Sequence, residues 1–152
     1  MSYKCEVSEL VAQPTLAVRT RTSVENMSSV LGQAYGKIFQ YLGELGEHPA
    51  GPPFVVYFNE DMENLEIAAG LPVARDLEGR GDVEASELPG GKAATCLHIG
   101  PYRQIDKAYA ALTEWIGDHG YEVAGAPYEM YLNDPQETPE VELQTQVVFP
   151  IK

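Results

Sequence analysis

The side chains in this sequence best suited to act on another molecule are aromatic and acidic. Tyr57, Tyr102, Trp115, Tyr128 and Tyr131 recur alongside Glu66 and Glu129. Ring faces attract a cation, each worth about 0.5–2 kcal/mol. A carboxylate among them is costly to bury unpaired and is neutralised by a charged guest. Such a set suits a flat, apolar, positively charged small molecule. The competing reading puts the rings in the core and both glutamates in water. A carboxyl in an apolar, aromatic setting also has a raised pKa and can serve as general acid or base, with a tyrosine hydroxyl positioning water. The chain has no Walker loop, no GxGxxG, no zinc spacing and no GxSxG elbow, so neither a metal nor a cofactor is expected. His48, His98 and His119 are scattered, and neither Cys5 nor Cys96 sits in a motif that would make it a nucleophile.

The segment that must position Glu129 is Tyr128–Ile151, read as two strands joined by a polar loop. Alternation from 128 to 132 puts Glu129 and Tyr131 on one face and Tyr128, Met130 and Leu132 on the other. Asn133-Asp134-Pro135 signals the turn. The second strand, Leu143–Phe149, sets Leu143, Thr145, Val147 and Phe149 against Gln144, Gln146 and Val148. A carboxylate inside such a strand is uncommon on propensity grounds. It is either an exposed charge or the polar anchor of a pocket.

The same pattern occurs earlier in the chain. Tyr57-Phe58-Asn59 matches Tyr131-Leu132-Asn133 at an offset of 74, while Leu65 and Pro72 match Leu143 and Pro150 at 78. Glu6–Leu10 matches Glu84–Leu88, again at 78. A nearly constant offset argues for duplication. Two helices fit between the strands. Met27, Val30, Leu31, Ala34, Tyr35, Ile38 and Leu42 form one apolar stripe, stopped by Gly43 and Gly46. Ile105, Ala108, Tyr109, Leu112, Trp115 and Ile116 form the other, ended by Gly120. Further strands are expected at Cys5–Leu10, Leu16–Thr22 (after a break at Ala12-Gln13-Pro14), Val83–Leu88 and Lys92–His98. The expected fold is α+β: one domain over 1–152, made of two strand-helix-strand-strand modules, about 1–78 and 79–152. They would be related by a pseudo-twofold, with antiparallel sheet and a ligand cleft between the halves. Ala68 and Gly70 leave room on the sheet face to which Glu66 belongs.

Composition narrows the partners. Ten Lys and Arg against 23 Asp and Glu give a net charge of −13, which repels phosphate backbones, so no direct nucleic acid binding is expected. No apolar run approaches the roughly 20 residues of a membrane span, and no secretory leader is visible. Two cysteines are too few for a disulfide framework, and reduced thiols in a cytoplasmic protein are the expectation.

FVVYFNEDMENLEIAAGLPV (54–73), the run from Lys92 through Pro135 and LQTQVVFPI (143–151) together resemble the GyrI-like small-molecule-binding family. These are effector-binding domains named for a DNA gyrase inhibitor and also attached to AraC- and MerR-type multidrug regulators. The residues carrying the likeness are the Gly100-Pro101-Tyr102 turn, the Trp115 helix and the Pro127-x-Glu129-x-Tyr131-x-x-x-Pro135 strand. The resemblance implies binding of hydrophobic, aromatic, cationic compounds through an acidic residue and aromatic walls. By position it points to Tyr57, Glu66, Tyr102, Trp115, Glu129 and Tyr131, and Ala68 and Gln146 join them as ligand-binding positions. Gln146 stands where many relatives have an acid. Some stand-alone members of the family look like hydrolases of cyclopropane-containing cytotoxic compounds, and in that alternative Glu129 and Tyr57 are catalytic. A gyrase-like protein partner is a third possibility.

Overall fold

The structure, a computed structural model, describes residues 3–152. In chain order the elements are β1 (Cys5–Leu10), β2 (Gln13–Thr22), α1 (Met27–Leu45), β3 (Phe54–Tyr57), β4 (Leu65–Pro72), β5 (Val83–Leu88), β6 (Gly91–Ile99), α2 (Asp106–Asp118), β7 (Tyr128–Tyr131) and β8 (Gln144–Pro150). Short 3-10 turns lie at Tyr102–Gln104 and Glu140–Glu142. Antiparallel strands and two helices make this an α+β fold. No described helix is long and apolar enough to cross a membrane.

The helices follow their apolar stripes. In α1 the buried positions are Ala34, Ile38, Tyr41 and Leu42. The helix runs through Gly43 and stops only at Gly46, whose φ of 70° lets Glu47 N–H reach the Leu42 carbonyl at 2.9 Å. Of the two glycines expected to end it, Gly46 alone adopts the left-handed conformation that closes a helix. Gly43 is carried in the last turn at a propensity cost of about 1 kcal/mol. In α2 the buried positions are Ala108, Leu112 and Ile116. The break expected at Ala12-Gln13-Pro14 is shorter than anticipated: β2 already starts at Gln13, and Pro14 is accommodated near the strand's beginning, where a missing N–H does least harm.

The chain divides into two compact units, Ala12–Pro89 and Met1–Val11 with Gly90–Lys152. In the first the strand order is β3-β4-β2-β5, with α1 against β4 and β2. In the second it is β7-β8-β6-β1, with α2 against β6 and β1. All pairings within each unit are antiparallel. The boundaries therefore differ from a seam after residue 78. Strand β5 completes the earlier unit and β1 completes the later one. The links Val11-Ala12 and Pro89-Gly90 join strands that do not pair as hairpins; β1 pairs instead with β6, and β5 with β2.

Candidate functional site

In the unit containing β1, β6, β7 and β8, register fixes which side chains share a face, because directly opposed residues of an antiparallel ladder project to the same side. One row runs Cys5, Cys96, Val147, Glu129 across β1, β6, β8 and β7. The next runs His98, Thr145, Tyr131 across β6, β8 and β7. This is the face that α2 covers: Cys96, Val147 and Phe149 pack with Ala108, Leu112 and Ile116 in one apolar cluster. Glu129 thus enters a core, and only 6% of it is exposed.

Tyrosine hydroxyls satisfy the carboxyl. Tyr109, on α2, donates its O–H to Glu129 Oε2 at 2.5 Å, and Tyr131 donates to Oε1 at 3.1 Å. The Tyr109 ring leans on Phe149 at 5.7 Å, and the Tyr102 ring meets Tyr131 edge to face at 5.5 Å. None of the ion pairs among the described residues involves Glu129. Burial raises its pKa above the ordinary carboxyl value, and the hydroxyls of Tyr109 and Tyr131, with the His98 ring, only partly offset that rise. The Tyr102 phenol is also pushed up, first by burial and then by the charges of Glu129 and Asp134. Beside this group the Thr145 hydroxyl is fully buried and has no hydrogen-bond partner among the described residues.

His98 holds the wall in place. Its Nε2 lies 3.0 Å from the Pro101 carbonyl, which can only accept, so in the neutral ring Nδ1 accepts the Tyr3 O–H at 3.0 Å. Gly100, at φ 133°, donates its N–H to the Leu143 carbonyl at 2.8 Å. A positive φ there needs glycine. Together these contacts pin the Gly100-Pro101 turn that presents Tyr102.

Of the residues expected from sequence, Tyr102, Glu129 and Tyr131 come together. Tyr128 projects to the opposite side of the sheet from Glu129, paired with Val148, and is buried there. Gln146 also projects away from the carboxyl, flanked by Met130 and Leu97. Trp115 lies further along α2, stacked on His119 at 4.1 Å and near Tyr121. Its helix turn puts it about 9 Å along the axis from Tyr109, so it serves the apolar cluster.

The remaining three residues belong to the other unit. Tyr57 is half-buried at the end of β3, opposite Ile67. Glu66 is ion-paired on β4, so it is not an unpartnered acid. Arg19 Nε and the Arg21 guanidinium reach its carboxylate at 3.1 and 2.9 Å, and Arg19 makes a second contact. The Arg19 contacts hold its pKa below the usual range. Ala68 lies directly opposite Arg19, whose guanidinium extends over the Phe58 ring at 4.1 Å. The room that a small residue leaves on this face is thus beside an arginine.

Sequence reasoning missed Tyr109, Thr145 and His98 as members of the site. Helical spacing alone makes Tyr109 part of an apolar stripe. The available signal was its hydroxyl, because a tyrosine pointed into a core needs an acceptor there.

The family described as GyrI-like small molecule binding domain matches residues 3–152. No curated protein matches the chain. Solved structures share the fold. The EcmrR chain of an EcmrR–DNA complex is 22% identical with a TM-score of 0.87, covering 99% of this chain and 57% of its own length. The present chain therefore spans little more than half of that protein. A hydrolase from Listeria innocua is 16% identical with a TM-score of 0.73, covering 99% of this chain and 93% of that one. SAV2435, solved bound to tetraphenylphosphonium, is 10% identical with a TM-score of 0.65, covering 100% and 94% respectively.

Proposed function

The chain belongs to the GyrI-like small molecule binding domain family, and from that premise we propose that its ligand is a hydrophobic aromatic cation held at Glu129. The observation that carries this reading is a buried carboxyl that accepts hydrogen bonds from the hydroxyls of Tyr109 and Tyr131 and takes part in none of the ion pairs among the described residues. A carboxylate in a core without a cation is held at a disadvantage. A positive ligand offers the missing charge, and the rings of Tyr102 and Tyr131 offer it π-faces. That SAV2435 was solved with tetraphenylphosphonium supports the choice of cation class. The test is a calorimetric titration with tetraphenylphosphonium, set beside neutral triphenylphosphine oxide. Clear preference for the cation is expected, and equal affinity for both would refute the reading.

A second reading is hydrolysis of a strained ring, favoured by the raised pKa of Glu129. A carboxyl that holds its proton more tightly than usual can deliver it to a leaving carbon, and a neighbouring phenol can orient the attacking water. Incubation with a cyclopropane-containing electrophile at stoichiometric protein tests it. Ring-opened product that disappears with Glu129→Gln is expected, and unchanged substrate rules the reaction out.

A further inference from the structure

The row that ends in Glu129 begins with two thiols. Cys5 and Cys96 are directly opposed on β1 and β6, and both are free. Opposed residues in an antiparallel ladder lie about 4.5–5.5 Å apart at Cα, inside the window of about 4.4–6.8 Å that a disulfide bridges. Their side chains share the face beneath α2, and the charge of the Cys5 thiolate is felt by Cys96. Cys5 is partly open to solvent, whereas Cys96 is 1% exposed.

We propose that Cys5 and Cys96 form an intramolecular disulfide when the protein meets a small-molecule disulfide, making this pair a modification site that fastens β1 to β6. The accessible Cys5 thiolate attacks one sulfur of the oxidant RSSR, forming the mixed disulfide and releasing RS⁻. The Cys96 thiolate then attacks Cys5 Sγ and expels the second RS⁻. The two protein protons end on the two RSH products, and two electrons pass from the thiols to RSSR. Burial holds both protein thiols above their ordinary pKa, Cys96 at about 12. Closure is therefore slow near neutrality and accelerates with rising pH.

The bond has a reason to matter to this fold. Strand β1 has a single described ladder partner, β6, and the residues just before it supply Tyr3, whose hydroxyl reaches His98. His98 in turn holds the Pro101 carbonyl next to Tyr102. Fixing Cys5 fixes the origin of that chain of contacts and leaves every other residue of the row unchanged.

The experiment treats the intact protein with oxidised glutathione at mildly alkaline pH, blocks free thiols and digests it with trypsin without reductant. Peptide 5–19 linked to peptide 93–103 within a monomer is the expected product, released by dithiothreitol. The closed loop spans about 90 residues, so the oxidised form should melt about 10 °C higher. In Cys5→Ser, a change at a partly exposed position, neither the linked peptides nor the shift should appear. Three results would overturn the proposal: both thiols recovered free, a stable glutathione adduct on Cys5 beside a free Cys96, or a link joining two chains.

Discussion

Replacing Glu129 with glutamine removes one negative charge while keeping the size of the side chain and its ability to hydrogen-bond two phenols. A ligand cation about 5 Å from the carboxylate, at an effective dielectric of about 20, interacts with it by about 3 kcal/mol. The amide dipole recovers part of that, leaving a loss of about 1.5–3 kcal/mol, or about 10- to 150-fold in Kd. The fold should not suffer. The hydroxyls of Tyr109 and Tyr131, which now face Oε2 and Oε1, can bond an amide instead. Glutamine also carries no buried charge to desolvate, so stability should stay within about 1 kcal/mol of the parent or rise. Calorimetry with tetraphenylphosphonium and triphenylphosphine oxide, on both proteins, separates charge from shape. The cation should weaken by one to two orders of magnitude, about as the Coulomb figure requires, while the neutral compound binds both proteins alike. If both ligands weaken together, Glu129 is a structural residue. If neither changes, the site is elsewhere.

Other outcomes follow from the same geometry. Tyr131→Phe removes a donor that lowers the Glu129 pKa, so the carboxyl should titrate higher still, readable by carbon NMR of the labelled side chain. The Glu129 pKa is raised on folding, so the folded state holds the proton more tightly. The associated stability is present in acid and falls as pH rises through the folded value. Wild type should therefore lose stability relative to Glu129→Gln over that interval in urea melts, and cation affinity should fall as pH drops through the same value. Glu66→Gln breaks the contacts to Arg19 and Arg21 but should leave cation affinity within about twofold, since an exposed ion pair contributes little. A Cβ at Gly70 would lie 2.6 Å from the Phe54 ring and 2.7 Å from the Leu16 carbonyl. Gly70→Ala should therefore cost about 1–3 kcal/mol in chemical denaturation.

Both helices and the hairpins around 58–64 and 133–143 were legible because their signals are local: an apolar stripe at helical spacing, and Asn-acidic turns. The shared face of Glu129 and Tyr131 followed from strand alternation alone, and their hydrogen bond is its consequence. Two things were not legible. Glu66 and Glu129 look equivalent in sequence, each inside a strand near tyrosines. What separates them is the strand opposite: β2 brings Arg19 and Arg21 to Glu66, whereas β8 brings Val147 to Glu129. The exchange of β1 and β5 was hidden for a related reason. Glu6–Leu10 and Glu84–Leu88 are nearly the same word, so pattern matching could not say which edge each would take. Pairing across most of the chain length has no signature in any short window. The facing of Cys5 and Cys96 is another product of that pairing.

The exchanged first strand sets an order of events during synthesis. When Pro89 has left the ribosome, the ladders β3–β4, β4–β2 and β2–β5 and the helix α1 are all available, so that unit can begin to close. Strand β1, translated before that unit, has no described partner until β6 emerges more than eighty residues later. Through that delay an alternating segment with an exposed backbone waits tethered to a finished neighbour. Nascent chains arrested before Gly91 should therefore offer a protease-sensitive and chaperone-accessible Cys5–Leu10 segment, which becomes protected once the Gly91–Ile99 segment is released.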